Sequence, residues 1–179
     1  PSKNVADISN AEGVPTTNEF FNFENASKYK NFLGKTDAIF ASNCICHIPD
    51  LNNLIKGIDL LLSKSGAFIF EEPYLGSMFE KTSYDQIYDE HIYMFSLSSI
   101  SKIFSLYDFE LVDALPQITH GGSMRYIIKR KGNTKQSKQL LNLIDKEKIN
   151  SLDTIESCLN FKKNCELSKS KIVKKINEL

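Results

Sequence analysis

The strand patterns ELVDALPQ (110–117) and SMRYIIKRK (123–131) are separated only by a short loop ending in Gly121–Gly122. So short a connection has no room for a crossover helix, so the two strands must pair as an antiparallel hairpin. Upstream the pattern differs. TDAIFASN holds the apolar run Ala38–Ala41, as expected of a strand covered on both faces. In DLNNLIKGIDLLLSKSG, Leu51, Leu54, Ile55, Ile58 and Leu61 or Leu62 fall on one helical face, with Asp50 as the cap and Gly66 just past the end. AFIFEEP is the next strand, stopped by Pro73, and SLSSISKIFSLYDF is a helix opened by a serine. Nearer the N-terminus the chain predicts a short helix over 3–11 with Val5 and Ile8 on one face. A turn and short strand follow in GVPTTNEFFNF, then a helix in ENASKYKNFLGK closed by Gly34. The alternation predicts an α/β domain: a mostly parallel sheet with helices on both faces, ended by the antiparallel hairpin.

A chain of 179 residues supports one domain with at most a small appendage. Its 22 basic and 22 acidic residues cancel, so neither nucleic acid nor an acidic membrane is expected as a partner. No apolar run reaches the roughly 18 residues of a membrane span, and the N-terminus has no secretory pattern. The absence of an initiator Met hints at a start inside a longer protein. Cys44, Cys46, Cys158 and Cys165 form no C-x-x-C pair, so reduced cytoplasmic thiols are expected, with no disulfide and no metal in this segment. From about residue 133 the chain lacks Pro and Gly and is rich in Lys, Asn, Ser and Leu. It reads as two helices meeting near Asn150–Ser151. Leu140, Leu141 and Ile144 mark the first apolar face; Ile155, Leu159, Lys162, Glu166 and Leu167 mark a narrower second stripe. Two readings stand here, a helical hairpin against the sheet domain and a connector to a further domain; the connector is favoured.

The stretch YDQIYDEHIYMFS (84–96) combines aromatic rings, carboxylates and a histidine with no Gly or Pro. In an open α/β sheet the working residues lie beyond the carboxyl ends of the strands. Asn43 and His47 follow one strand, Glu72, Pro73 and Tyr74 the next, His120 and Gly121 sit at the hairpin turn, and 84–96 can fold back over Tyr74. Any single histidine is more often structural, and Tyr84, Tyr93 and Phe95 read as packing. Gly121–Gly122 satisfies a turn needing positive φ, and Arg125 is as good a surface ion-pair partner as a phosphate ligand.

The linked motifs N-x-x-x-H-I-P-D, E-x-P-Y, Y-x-E-H and H-G-G-S, in this order, resemble the SAM-dependent C-methyltransferases that act on nucleotide-bound keto-deoxysugars. Asp89 stands where relatives commonly have His. The resemblance implies part of a class I methyltransferase, Rossmann-like sheet ending in the antiparallel hairpin and followed by C-terminal helices. Residues 1–132 would be the C-terminal part of the S-adenosylmethionine (SAM) domain and 133–179 a helical connector. Zinc is expected only in an N-terminal segment outside this chain, and the fragment alone is expected to be inactive. His91 corresponds to the base that takes the proton beside the ketone, which suits an imidazole. Tyr88, His47 and Tyr74 become donors to the enolate oxygen. Glu90, on the opposite side of an extended segment, would orient the sugar or another histidine. Tyr74, His120, Gly121, Ser123 and Arg125 fall to the nucleotide sugar; Ser2, Ala41, Ser42 and Asn43 fall to SAM. The alternatives are a catalytically incomplete sugar-nucleotide-binding or interaction module, and an O- or N-methyltransferase on the same fold.

Overall fold

The computed structural model describes the whole chain, Pro1–Leu179. In order it contains helix α1 (Lys3–Ala11), helix α2 (Phe23–Ala26), strand β1 (Thr36–Ser42), helix α3 (Leu51–Leu61) and strand β2 (Leu62–Pro73). Helices α4 (Leu75–Lys81) and α5 (Leu97–Ser105), strands β3 (Phe109–Gln117) and β4 (Ser123–Arg130), and helices α6 (Lys138–Ile149) and α7 (Ile155–Asn177) follow. The sheet order is β1-β2-β4-β3. β1 and β2 run parallel, with Ser42 opposite Glu71. β2 and β4 run antiparallel, with Glu71 opposite Arg125, and β3–β4 is the expected hairpin. The sheet is thus less parallel than the alternation predicts, because the hairpin places its second strand beside β2.

Local chemistry sets the helix ends. Asp50 Oδ1 accepts the Asn53 N–H at 3.0 Å to start α3, whose Leu54, Ile55 and Ile58 are buried. Ser96 and Ser99 cap α5 reciprocally, each hydroxyl accepting the other's backbone N–H. Gly66 does not close α3, because the chain passes from Leu61 directly into β2. It lies inside that strand, where a Cβ would meet the Thr36 carbonyl oxygen at 2.8 Å.

The core lies on one sheet face. Phe68, Phe70, Tyr126 and Ile128 meet Ile55 and Ile58 of α3, Leu97, Ile100 and Phe104 of α5 and Leu140 of α6. Phe70 stacks on Tyr126 at 4.7 Å. The opposite face is not covered as the alternation predicts: Phe40 is 62% exposed, and Ile69 and Ile127 are only partly buried. Other local expectations fail for related reasons. Val5 and Ile8 are exposed, and Ala6 is the buried residue of α1. Residues 14–22 form no strand; Asn22 instead caps the short α2, and a 3₁₀ turn at Lys30–Phe32 precedes Gly34. In α6 the buried face is Leu140 with Leu143, Ile144 and Glu147, and Leu141 points outward. The turn at Asn150–Ser151 is present, with Ser151 at φ +50°. No residue of α7 is buried, although Phe161 stacks on Phe79 at 4.7 Å.

Tyr126 carries a testable consequence. Its hydroxyl is fully buried without a partner, and burial, with Tyr74, Glu147 and Glu72 nearby, raises its phenol well above the usual tyrosine range. The unfolded phenol ionises near pH ~10 while the folded one keeps its proton, so stability falls as pH rises past that value. By pH ~11 this group alone removes about 1.4 kcal/mol. Tyr126→Phe is therefore expected to be neutral or stabilising at pH ~8 and to flatten the alkaline decline, measured as urea midpoints across that range. A loss above ~1 kcal/mol at pH ~8 would contradict this account.

Candidate active site

The 84–96 stretch is not extended. It opens with a 3₁₀ turn at Tyr84–Gln86 and then turns back, the His91 N–H donating to the Tyr88 carbonyl at 3.0 Å. It is stapled to the segment after β1: Ile92 N–H donates to the Cys46 carbonyl at 3.0 Å and the Tyr93 hydroxyl to the Pro49 carbonyl at 2.7 Å. Phe95 is buried and pairs with Tyr74 as an isolated bridge, so packing holds the end of the stretch.

This folding gathers His47, Tyr88, Glu90 and His91. His91 Nδ1 lies 2.8 Å from the Gln86 carbonyl and His47 Nδ1 2.6 Å from the Glu90 carbonyl. A carbonyl only accepts, so both imidazoles carry a proton on Nδ1, and the neutral ring has its lone pair on Nε2. The Tyr88 hydroxyl donates to His91 Nε2 at 2.8 Å, and the two imidazole rings lie 5.1 Å apart. Glu90 therefore meets the histidines through its main chain. Its carboxylate is exposed and takes no hydrogen bond within the chain, so the expected orienting of a histidine falls to its carbonyl.

Glu72, fully buried on β2, fixes the segment carrying His47: Oε1 accepts the N–H groups of Cys44 at 2.9 Å and Ile45 at 2.6 Å. Its Oε2 has no partner. Burial, reinforced by the Glu72 charge, raises the Cys44 and Cys46 thiols above their usual range. Asn43 follows β1 at φ +50°, its N–H on the Glu71 carbonyl at 2.8 Å and its Nδ2 on Ser42 Oγ at 3.2 Å. Asn43 Oδ1 is buried and unpartnered. Ala41 and Ser42 precede it in β1, while Ser2 stands ahead of α1 with its hydroxyl on Asn4 at 2.6 Å and no bond to Ala41–Asn43.

The residues assigned to the sugar nucleotide are already engaged or stand apart from His91. The Tyr74 hydroxyl donates to Glu147 at 2.8 Å, and burial with that carboxylate raises its phenol, so it is not the free donor expected beside His91. Arg125 gives Nε and Nη2 to Glu71 Oε2, at 3.2 and 2.8 Å, which realises its ion-pair reading. Thr119 donates to the other oxygen of Glu71 at 2.8 Å. Ser123 is buried, its hydroxyl on the Thr119 carbonyl at 3.1 Å. His120, at φ +49°, presents an exposed ring, and Gly121 follows at φ +75° with its carbonyl accepting from Lys81. Beside this turn lies a cavity of about 580 Å³ between α4, α6 and α7, lined by Tyr74, Lys81, Gly122, Asn150, Asn160 and Phe161. None of the His47–His91 group lines it.

Residues 2–114 match the family model of a methyltransferase domain, and residues 118–179 match that of a C-methyltransferase C-terminal domain. The chain belongs to the methyltransferase-domain family, and its residues 118–179 are similar to the C-methyltransferase C-terminal domain. Among particular proteins, C-methyltransferase NovU of Streptomyces niveus is 32% identical over 124 residues, a match covering 69% of this chain and 30% of NovU. The chain thus spans less than a third of that relative's length. A SAM-dependent methyltransferase from Anabaena variabilis, known from its crystal structure, shares the fold at a TM-score of 0.50 and 19% identity. That likeness covers 73% of this chain and 65% of the other. The mixed α/β sheet with its terminal hairpin is thus a methyltransferase sheet. No helix is long and apolar enough to cross a membrane.

Proposed function

We propose that this chain supplies the catalytic part of a SAM-dependent C-methyltransferase acting on a carbon beside a ketone of a nucleotide-linked deoxysugar. The observation that carries the reading is the His91 imidazole. Its Nδ1 is pinned to the Gln86 carbonyl, its Nε2 lone pair meets a phenol donor, and a second imidazole stands beside it. A base with one oriented lone pair beside a hydroxyl donor is what proton abstraction next to a ketone requires.

In this reading the ketone enters between Tyr88 and His91, and the Tyr88 hydroxyl turns from Nε2 to the ketone oxygen. His91 Nε2 takes the C–H proton, and the electron pair moves onto that oxygen as an enolate. Tyr88 steadies the negative charge, with the His47 ring beside it; one such donor contributes roughly 3 kcal/mol. The enolate carbon is then the nucleophile for a methyl that bound SAM would supply, its sulfonium becoming a neutral thioether, and the His91 imidazolium returns its proton to solvent. The exposed Glu90 carboxylate is free to hold a sugar hydroxyl.

SAM, when bound, supplies an electrophilic methyl on a sulfonium. The residues present fit it at Asn43, whose buried, unpartnered Oδ1 at the carboxyl end of β1 suits an ammonium or hydroxyl donor. Ala41 and Ser42 would line the same strand end. His120, Gly121 and Arg125 would meet the nucleotide sugar from the hairpin turn, Arg125 by exchanging Glu71 for a phosphate.

The test is the position of the new methyl group. With methyl-labelled SAM and a nucleotide-linked keto-deoxysugar, the enzyme that carries this chain is expected to give a methyl bonded to carbon, seen by NMR. A methyl on oxygen or nitrogen would overturn the proposal.

A further inference from the structure

We propose that Cys46, His47 and His91 form a site for a thiophilic divalent cation of the Zn²⁺ class, whose binding occupies the His91 lone pair and closes the proposed base. Cys46 alone is a core residue, and the two rings alone are a tilted aromatic contact. Together they offer one ligand atom each within 4.8 Å of one another. Tetrahedral Zn²⁺ with one sulfur and two nitrogens needs edges of roughly 3.3–3.6 Å, given bonds of ~2.3 and ~2.0 Å. A bound metal would have to draw the three side chains together by the remaining difference.

Three further features favour a cation. Both imidazoles already give their Nδ1 proton to main-chain carbonyls, of Glu90 and Gln86. That outer contact fixes the tautomer and ring of a metal-binding histidine and leaves Nε2 to the metal. Secondly, the carboxyl group of Glu72, whose Oε1 holds the Cys44 and Ile45 N–H groups, keeps a buried Oε2 without a hydrogen-bond partner next to this segment. Lastly, Tyr88 covers Nε2 from the exposed side and can leave it, opening a path and a fourth position for water or its own hydroxyl. One sulfur and two imidazole nitrogens select Zn²⁺ or Co²⁺ over Mg²⁺ or Ca²⁺. On binding, the S–H bond breaks, sulfur bonds the metal, and the proton goes to solvent; no redox change is involved.

The blocking of the base rests on the proposed function, but cation binding itself is tested without methyl transfer. The chain with Cys44, Cys158 and Cys165 changed to Ser would be titrated with Co²⁺ and followed by visible absorption. One equivalent should produce tetrahedral ligand-field bands and a thiolate-to-cobalt charge-transfer band, both removed by Zn²⁺. Cys46→Ser should abolish the charge-transfer band, and His47→Gln and His91→Gln should each weaken affinity more than ~10-fold. If Cys46→Ser fails to fold, the two histidine variants, whose rings lie near the surface, decide the matter. Absence of the charge-transfer band, its survival in a folded Cys46→Ser, or unchanged affinity in both histidine variants would overturn the proposal.

Discussion

His91→Gln is expected to lower turnover of the enzyme by roughly 10²–10⁴-fold, the usual share of general-base catalysis, with little change in affinity for SAM or the nucleotide sugar. Glutamine can keep the contacts of the ring. Its amide N–H replaces Nδ1–H toward the Gln86 carbonyl, and its oxygen replaces Nε2 as acceptor for Tyr88. It has no basic nitrogen at neutral pH. The fall should therefore appear in kcat, since the lost interaction belongs to the transition state. A variant with normal kcat and a raised KM would make His91 a binding residue, and the base would be sought at His47.

Glu147→Ala is expected to cost about 3 kcal/mol of stability, read as a shift of the urea midpoint at unchanged slope. Glu147 reaches from α6 into the core and is 4% exposed. Its carboxylate accepts the Leu97 N–H at 2.7 Å, the Ser98 N–H at 3.1 Å, the Ser98 hydroxyl and the Tyr74 hydroxyl. It thereby satisfies the open N–H groups of α5 from another helix and ties that helix to the end of β2. Alanine strands those donors in a buried site, and each hydrogen bond to a charged group contributes about 1.5–3 kcal/mol, less than additively. Glu147→Gln keeps an acceptor but turns an NH₂ toward donors, so its loss should be smaller. A cost below ~1 kcal/mol for the alanine variant would mean that water replaces the carboxylate and α6 is not held as described.

Part of this fold was legible because its signals are local. The face of Leu54, Ile55 and Ile58, the Asp50 cap, the Ser96 start of α5 and the hairpin loop each depend on neighbours within a few residues. The insertion of β4 between β2 and β3 was not, since strand partners are chosen by contacts far apart in sequence. Gly66 read as a helix stop because glycine after an amphipathic run usually is one. Its actual constraint, the Thr36 carbonyl of a neighbouring strand, is invisible from one segment. Glu147 was missed although a signal existed: it continues the Leu140–Ile144 face at helical spacing, and a carboxylate in an apolar stripe needs donors. At the site, the motif spacing brought out His91, Tyr88 and His47, which the structure gathers. The assumption of an extended segment misplaced Glu90, since the turn at Tyr88–His91 aims its carbonyl at His47. Arg125 and Tyr74 looked free because their partners, Glu71 and Glu147, lie on other elements.

The most direct test of the central claim is proton exchange without methyl transfer. In heavy water, with a nucleotide-linked keto-deoxysugar and no SAM, the enzyme is expected to place deuterium at the carbon beside the ketone. His91→Gln is expected to slow that exchange by the same roughly 10²–10⁴-fold as turnover, while the sugar nucleotide still binds. Exchange that proceeds at the wild-type rate in the variant would show that another group takes the proton, and the role given to His91 would be wrong.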